Sequence, residues 1–447
     1  MIVEQTRRSL LRKMLFGTGM LGLRSLATGL PLAVLANPRR ALAAVDAGAP
    51  PPAPGAKPQF IILSTSAEGD PLGCNAPGTY LNPALVHPGA PAMAPVTLSI
   101  GGAQHVAATP WAQLPPELLD RTCFFHHATY SVVHPDQQLV QELGGYTANN
   151  EMFVSLLASQ LAPALGTVQQ QPIVLGPRNI AEAVLYQTQE QPIVAPSALA
   201  LLLGPPGGEL GKLTQLRDSD LDSLNALIKS EGTRAQAAFV DQYVQSQAQL
   251  RTVSENLLAT LEMISDDSVS SQILAAVTLI RMNVAPVISL HIPFGGDNHN
   301  DGALNLETSQ TVSGVAALNQ LWSVLGANDL QDQVSFLSLN VFGRTMGASS
   351  ANGRSHNPNH HLALMFGAPF QGSVIGGVEP VGADFGAMSI SSTTGAGVPN
   401  GGGDIPLLET LQAMALTFGT GVGIDGAFLA ANVTGGGKVV QPALASG

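Results

Sequence analysis

Basic residues are scarce: the 447-residue chain has 19 Lys and Arg against 31 Asp and Glu, and charged residues of all kinds make up only 11%. Seven of those bases and a single acid, Glu4, fall in residues 1–43, which leaves 12 bases and 30 acids for the rest. So acidic a body has no cluster of positive charge to displace the counterions of nucleic acid or to hold an anionic lipid surface. Neither is expected as a partner. Cysteine is limited to Cys74 and Cys123, with no Cys-x-x-Cys spacing, which argues against a thiolate metal cage or a redox dithiol. That pair leaves two readings, one disulfide staple or two buried thiols.

What is present is apolar and flexible in composition, 45% hydrophobic with 48 Gly and 32 Pro, enough for one large or two ordinary domains. The basic front end reads as an address. Arg7-Arg8 precede a Gly-rich apolar stretch, Met14 to Ala36, that Arg24 interrupts. Its runs are about half the ~20 residues a membrane span needs. Pro38-Arg39-Arg40 and then Ala41-Leu42-Ala43 supply a basic end and a small-x-small cleavage pattern. The expectation is a twin-arginine export signal over 1–43, cut after Ala43, that engages the twin-arginine translocation machinery. It predicts a periplasmic or secreted protein with no membrane span after cleavage. Residues 44–58, with five prolines between Ala47 and Pro58, read as a semi-rigid linker.

Beyond the linker, short β-rich runs alternate with helical patterns. Expected strands are Gln59–Leu63, Arg121–His126, Ile173–Leu175, Ala285–His291, Val334–Leu339 and His361–Phe366. Expected helices are Glu151–Leu161, Ser219–Leu227, Ala235–Glu262, Val269–Met282, Ser309–Leu325 and Leu407–Phe418. The alternation predicts an α/β domain over 59–430, a mostly parallel sheet covered by helices on both faces. Residues 219–282 read as a helical insertion beside that sheet, and 431–447 as a Gly-rich tail.

Open α/β sheets take ligands at the carboxyl ends of their strands, and the histidines of this chain gather at those places. The segment Gly295-Gly296-Asp297-Asn298-His299 follows one strand, and its glycines let a carboxylate and an imidazole turn to one side and share a metal. Alone, such a loop is also ordinary turn composition. Further on, Arg344, Arg354, His356, His360 and His361 fall within eighteen residues. His356, on a loop between Arg354 and Pro358, is the better ligand candidate, and His361 reads as a strand residue. Arg344 and Arg354 are candidate anion-binding residues, since a planar guanidinium fork suits phosphate or sulfate. Pairing with the many carboxylates is the alternative.

Three stretches, Gly296-Asp297-Asn298-His299, Val341-Phe342-Gly343-Arg344-Thr345 and Gly353-Arg354-Ser355-His356, resemble in order and spacing the motifs of the domain of unknown function 1501 family. These are exported bacterial proteins similar to alkaline phosphatases and sulfatases. The segment from Ser131 to Gly145 with His134, together with His127, is similar to that family's histidine-bearing stretch. Glu68-Gly69-Asp70 is similar to its loop after the first strand. The resemblance implies an alkaline-phosphatase-like core and a divalent metal, zinc, manganese, magnesium or calcium, on Asp297, His299 and His356. It also places an acid where Val341 stands and an Asp where Ser355 stands, so it implies a reduced metal site. No catalytic nucleophile is assigned, although Ser64, Thr65 and Ser66 close the first strand.

Two functions follow from this reading. One is a metal-dependent hydrolase of a phosphate or sulfate ester, on a small molecule or a surface polymer. The other is a catalytically degenerate relative that serves in periplasmic or cell-surface binding and assembly.

Overall fold

The computed structural model describes residues 57–80, 82–177, 183–203, 260–347 and 352–445, with isolated positions between 219 and 240. The expected export signal lies outside them, as do all but the last two residues of the linker and about half of the expected insertion.

Eight strands form the central sheet: β1 Phe60–Ser64, β2 Thr122–His127, β3 Ile173–Leu175, β4 Ile193–Val194, β5 Val287–Leu290, β6 Val334–Ser338, β7 His361–Phe366 and β8 Ser373–Ile375. Their spatial order is β8, β2, β7, β6, β1, β5, β3, β4. Strands β1, β2, β5, β6 and β7 are buried along their whole length, which is why they read as continuous apolar runs instead of alternating ones. The six expected strands are all there. The edge strands β4 and β8 were not anticipated, because two or three residues carry no periodicity. The sheet is mixed: β7 runs antiparallel to both β6 and β2, and the other pairings are parallel.

Side chains alternate across each strand, so one sheet builds two separate cores. On one face Ile62, Phe124, Ile288, Phe336 and Leu364 pack beneath two helices, Val269–Arg281 and Asn305–Gly326. On the other, Ile61, Leu63, Phe125, Leu337 and Met365 meet the helices Phe153–Leu165 and Thr410–Gly421. The helix Val269–Arg281, capped by the Ser268 side chain, buries every residue from Ser271 to Ile280 and packs on β5 and β3. It belongs to the layer covering the sheet and is no peripheral part of an insertion. The tail is packed as well through residue 445, with Val440 and Ala443 buried and Ala443 O accepting from Gln371 N at 3.1 Å. No helix of the described residues is long and apolar enough to cross a membrane. Both cysteines are free and buried, and burial pushes each thiol up to about 12, so the disulfide alternative is not realised.

Where β2 and β7 pair, two histidines of β2 meet His361 of β7 and His360 just before it. His126 donates from Nε2 to Pro77 O at 3.1 Å, and its bare Nδ1 accepts from His360 Nε2 at 2.9 Å. On the opposite face His127 stands beside its cross-strand partner His361, whose Nε2 accepts from Asn340 N at 3.2 Å. All four are fully buried and neutral, because burial holds His126 and His127 down to about 4 and His360 and His361 below the ordinary imidazole range. An unfolded histidine titrates near 6.5. Protons therefore favour the unfolded chain as pH falls below that value. Stability should be full above about pH 6.5 and drop toward pH 4, by about 1.4 kcal/mol per histidine per pH unit. Thermal melts between pH 7.5 and 5, above the range where carboxylates titrate, should show a steep decline in Tm. A flat profile over that window would contradict the assignment.

Candidate metal centre

The reversal of β7 decides where the site lies. Because β7 runs against its neighbours, the loop that enters it arrives at the same sheet edge as the loops that leave β1, β2 and β5. Four ligand-capable side chains converge there: His134 after β2, Asp297 and His299 after β5, and His356 between β6 and β7. One ligand atom of each lies within 4.8 Å of every other, so the group could hold a metal ion. His134 Nε2 is 3.6 Å from Asp297 Oδ2, His299 Nε2 is 3.4 Å from Asp297 Oδ1, and the Nε2 atoms of His299 and His356 are 2.8 Å apart.

The outer nitrogens fix the tautomers. His134 Nδ1 donates to Ala67 O at 2.7 Å, and His356 Nδ1 donates to Val132 O. Both rings then carry a bare Nε2 toward the cluster, the arrangement a metal ligand needs. With His356 Nε2 bare, His299 Nε2 is the donor in the bond between the two rings, and Asp297 lies beside it. His356 is locked further by Phe342, which stacks on its ring at 4.0 Å. Burial holds His356 below the ordinary imidazole value, and the charge of Arg344 and the imidazoles of His299 and His134 add to that against the Val132 hydrogen bond.

The loop carrying Asp297 and His299 is held by Asp70, which is fully buried. Its Oδ1 accepts from Phe294 N at 3.2 Å and Gly296 N at 2.7 Å, and its Oδ2 faces His291 Nε2 at 3.3 Å and Asn340 Nδ2 at 3.4 Å. Burial alone would push this carboxyl up, but the bond and charge of His291 and the two amides outweigh it and hold it down. Gly296 has φ 51°, and a Cβ there would lie 2.5 Å from Glu68 Oε2. Gly353 has φ 129°, and a Cβ there would lie 2.0 Å from His299 O. At Gly353 the clash would be with backbone, so only glycine there lets the two loops close on each other.

The two arginines differ in their surroundings. Arg344 is buried, donates from Nε to Gly69 O at 2.6 Å and from a terminal nitrogen to Glu68 O, and reaches Asp297 Oδ1 at 3.0 Å. It flanks the cluster as a fixed positive charge. Arg354 forms a two-pronged, fully buried pair with Glu307, at 2.6 and 3.1 Å, and donates also to Thr345 O and Val86 O, both at 2.8 Å. The structure thus gives Arg354 the carboxylate partner that was the alternative to anion binding. Val341 is fully buried in the apolar cluster below the sheet. The hydroxyls at the end of β1 are all buried, and each meets a backbone group. Ser64 Oγ accepts from Ile292 N at 3.1 Å, Thr65 Oγ1 donates to Leu339 O at 2.8 Å, and Ser66 Oγ accepts from Glu68 N at 3.0 Å.

Asp297, His299 and His356, the ligand set implied by the resemblance, come together here. His134 joins them as a fourth. It was visible only as part of the upstream histidine stretch, because a lone His before a Pro on a loop gives no ligand spacing of its own. No protein-family model matches the chain, and no curated protein matches it.

Arg354→Gln should leave Glu307 buried and unpaired, which costs about 3–5 kcal/mol. Urea unfolding should read that loss with or without added phosphate. A variant of unchanged stability with weakened phosphate binding would return Arg354 to the anion-binding role.

Proposed function

We propose that the protein is a single-metal hydrolase of phosphate or sulfate esters, exported and built on an alkaline-phosphatase-like core. The observation that carries this reading is the convergence of three imidazole nitrogens and one carboxylate beside a buried arginine. Three nitrogen donors favour zinc or another first-row transition ion over the oxygen-seeking magnesium and calcium. Such an ion, when bound, polarises an ester oxygen as a Lewis acid.

The chain's own residues set the rest. Asp297 alone cannot balance a divalent ion together with Arg344, so the loaded centre is positive and attracts an anion. With Ser64, Thr65 and Ser66 buried at the end of β1, water is the nucleophile this reading assigns, in place of a covalent serine or threonine intermediate. Glu68 is exposed on the adjoining loop, with its carboxylate against Gly296, and is the group placed to take the proton of that water. The buried, apolar Val341 supports a centre limited to one ion. The competing reading, a degenerate periplasmic or cell-surface binding protein, draws on the same buried hydroxyls and on Arg354 being paired with Glu307.

Zinc titrated into metal-free protein in a calorimeter should bind at one ion per chain. Asp297→Ala or His299→Ala should weaken it at least about 100-fold, beyond the 10- to 100-fold typical of groups that only support a ligand. Glu68→Gln should retain zinc while lowering kcat on aryl phosphate or sulfate about 10²-fold or more. Two ions per chain would contradict the reduced site. One ion with no turnover on either ester would favour the binding protein.

A further inference from the structure

The segment that brings His134 to the cluster is unusually apolar on its outside. Nine large hydrophobic side chains are exposed among the described residues, and five of them, Tyr130, Val132, Val133, Leu139 and Tyr146, fall between 130 and 146. Three are tied to the cluster through their backbone. Val132 provides the carbonyl that anchors His356, Val133 immediately precedes His134, and Tyr130 is welded to the His356 loop by its N–H to Pro358 O at 2.8 Å. Tyr130, Val132 and Val133 are 40%, 49% and 45% exposed.

This ridge is rigid. Thr129 N also donates to Pro358 O, at 3.2 Å, and Ser131 Oγ turns inward to Val133 O at 3.2 Å and to Asp136 Oδ2 at 3.1 Å. Tyr130 holds a φ of 59°, a backbone conformation that a bulky residue keeps only where its surroundings fix it. The polar groups of the segment are thereby directed inward and the apolar ones outward, beside a centre that attracts anions when loaded.

We infer that the substrate is a soluble amphiphilic anion, an alkyl or aryl monoester whose charged group sits at the metal cluster and whose apolar group lies along Tyr130, Val132 and Val133. The assignment rests on the metal centre proposed above and names the class of ligand that centre takes. Continuity carries it: the ridge and the cluster share the Val132 carbonyl and the chain step from Val133 to His134, so one small molecule spans both. An anion without an apolar group would leave the ridge in water.

The test uses two stable phosphonates, methylphosphonate and octylphosphonate below its micelle concentration, titrated into the zinc-loaded full chain. A methylene moved from water onto apolar surface is worth at most about fourfold, so seven of them on an open ridge should give octylphosphonate an advantage of about tenfold or more. Asparagine tolerates a left-handed backbone, so the variant Tyr130→Asn with Val133→Ser keeps the loop intact. It should reduce the advantage below about threefold, with zinc stoichiometry and methylphosphonate affinity unchanged. Equal affinity of the wild type for both phosphonates would overturn the inference while leaving the metal centre standing, and this comparison decides the matter even where the variant does not fold. Failure of the chain to bind zinc would remove the centre and the inference together.

Discussion

One buried guanidinium joins the parts of the site. Arg344 is bonded to the carbonyls of Glu68 and Gly69 in the loop after β1, to the carbonyl of Arg354 in the loop before β7, and to the Asp297 carboxylate after β5. Charged hydrogen bonds of this kind contribute about 1.5–3 kcal/mol each, and burial of the group makes every one of them obligatory. Asp70 does the converse with a buried negative charge, gathering the amides of Phe294 and Gly296. The two opposite charges, both sealed from water, hold the loops of the candidate metal centre in place.

That preorganisation has a chemical consequence. Backbone carbonyls hold the outer nitrogens of His134 and His356, so both rings offer lone pairs inward and His299 is left to provide the shared proton. A cation held there would take the place of that proton, and the centre would then be positive. The ridge of Tyr130, Val132 and Val133 borders this charge on one side. Charge and apolar surface placed side by side on a rigid frame select ligands that carry both.

Much of the fold was legible because its strands are fully buried. Phe60–Ser64 and His361–Phe366 read as strands from unbroken apolar runs, and the helix Asn305–Gly326 from its period. The convergence of Asp297, His299 and His356 was legible from their positions at strand ends. The antiparallel direction of β7 was not, because strand direction depends on the path of the connections and leaves no mark on composition. For the same reason His134 could not be joined to the other ligands from the sequence. The role of Arg354 was hidden too. A guanidinium next to a histidine on a Gly-containing loop looks the same whether it faces an anion or a buried Glu307 far away in the sequence.

The central claim is that one ion sits among four named side chains. Anomalous diffraction at the zinc edge, on crystals of the full chain grown with zinc, tests it most directly. The account predicts a single strong peak bounded by the Nε2 atoms of His134, His299 and His356 and a carboxylate oxygen of Asp297, at about 2.0–2.2 Å. A peak held by other residues, a second ion beside Val341, or no ion at this edge of the sheet would contradict it.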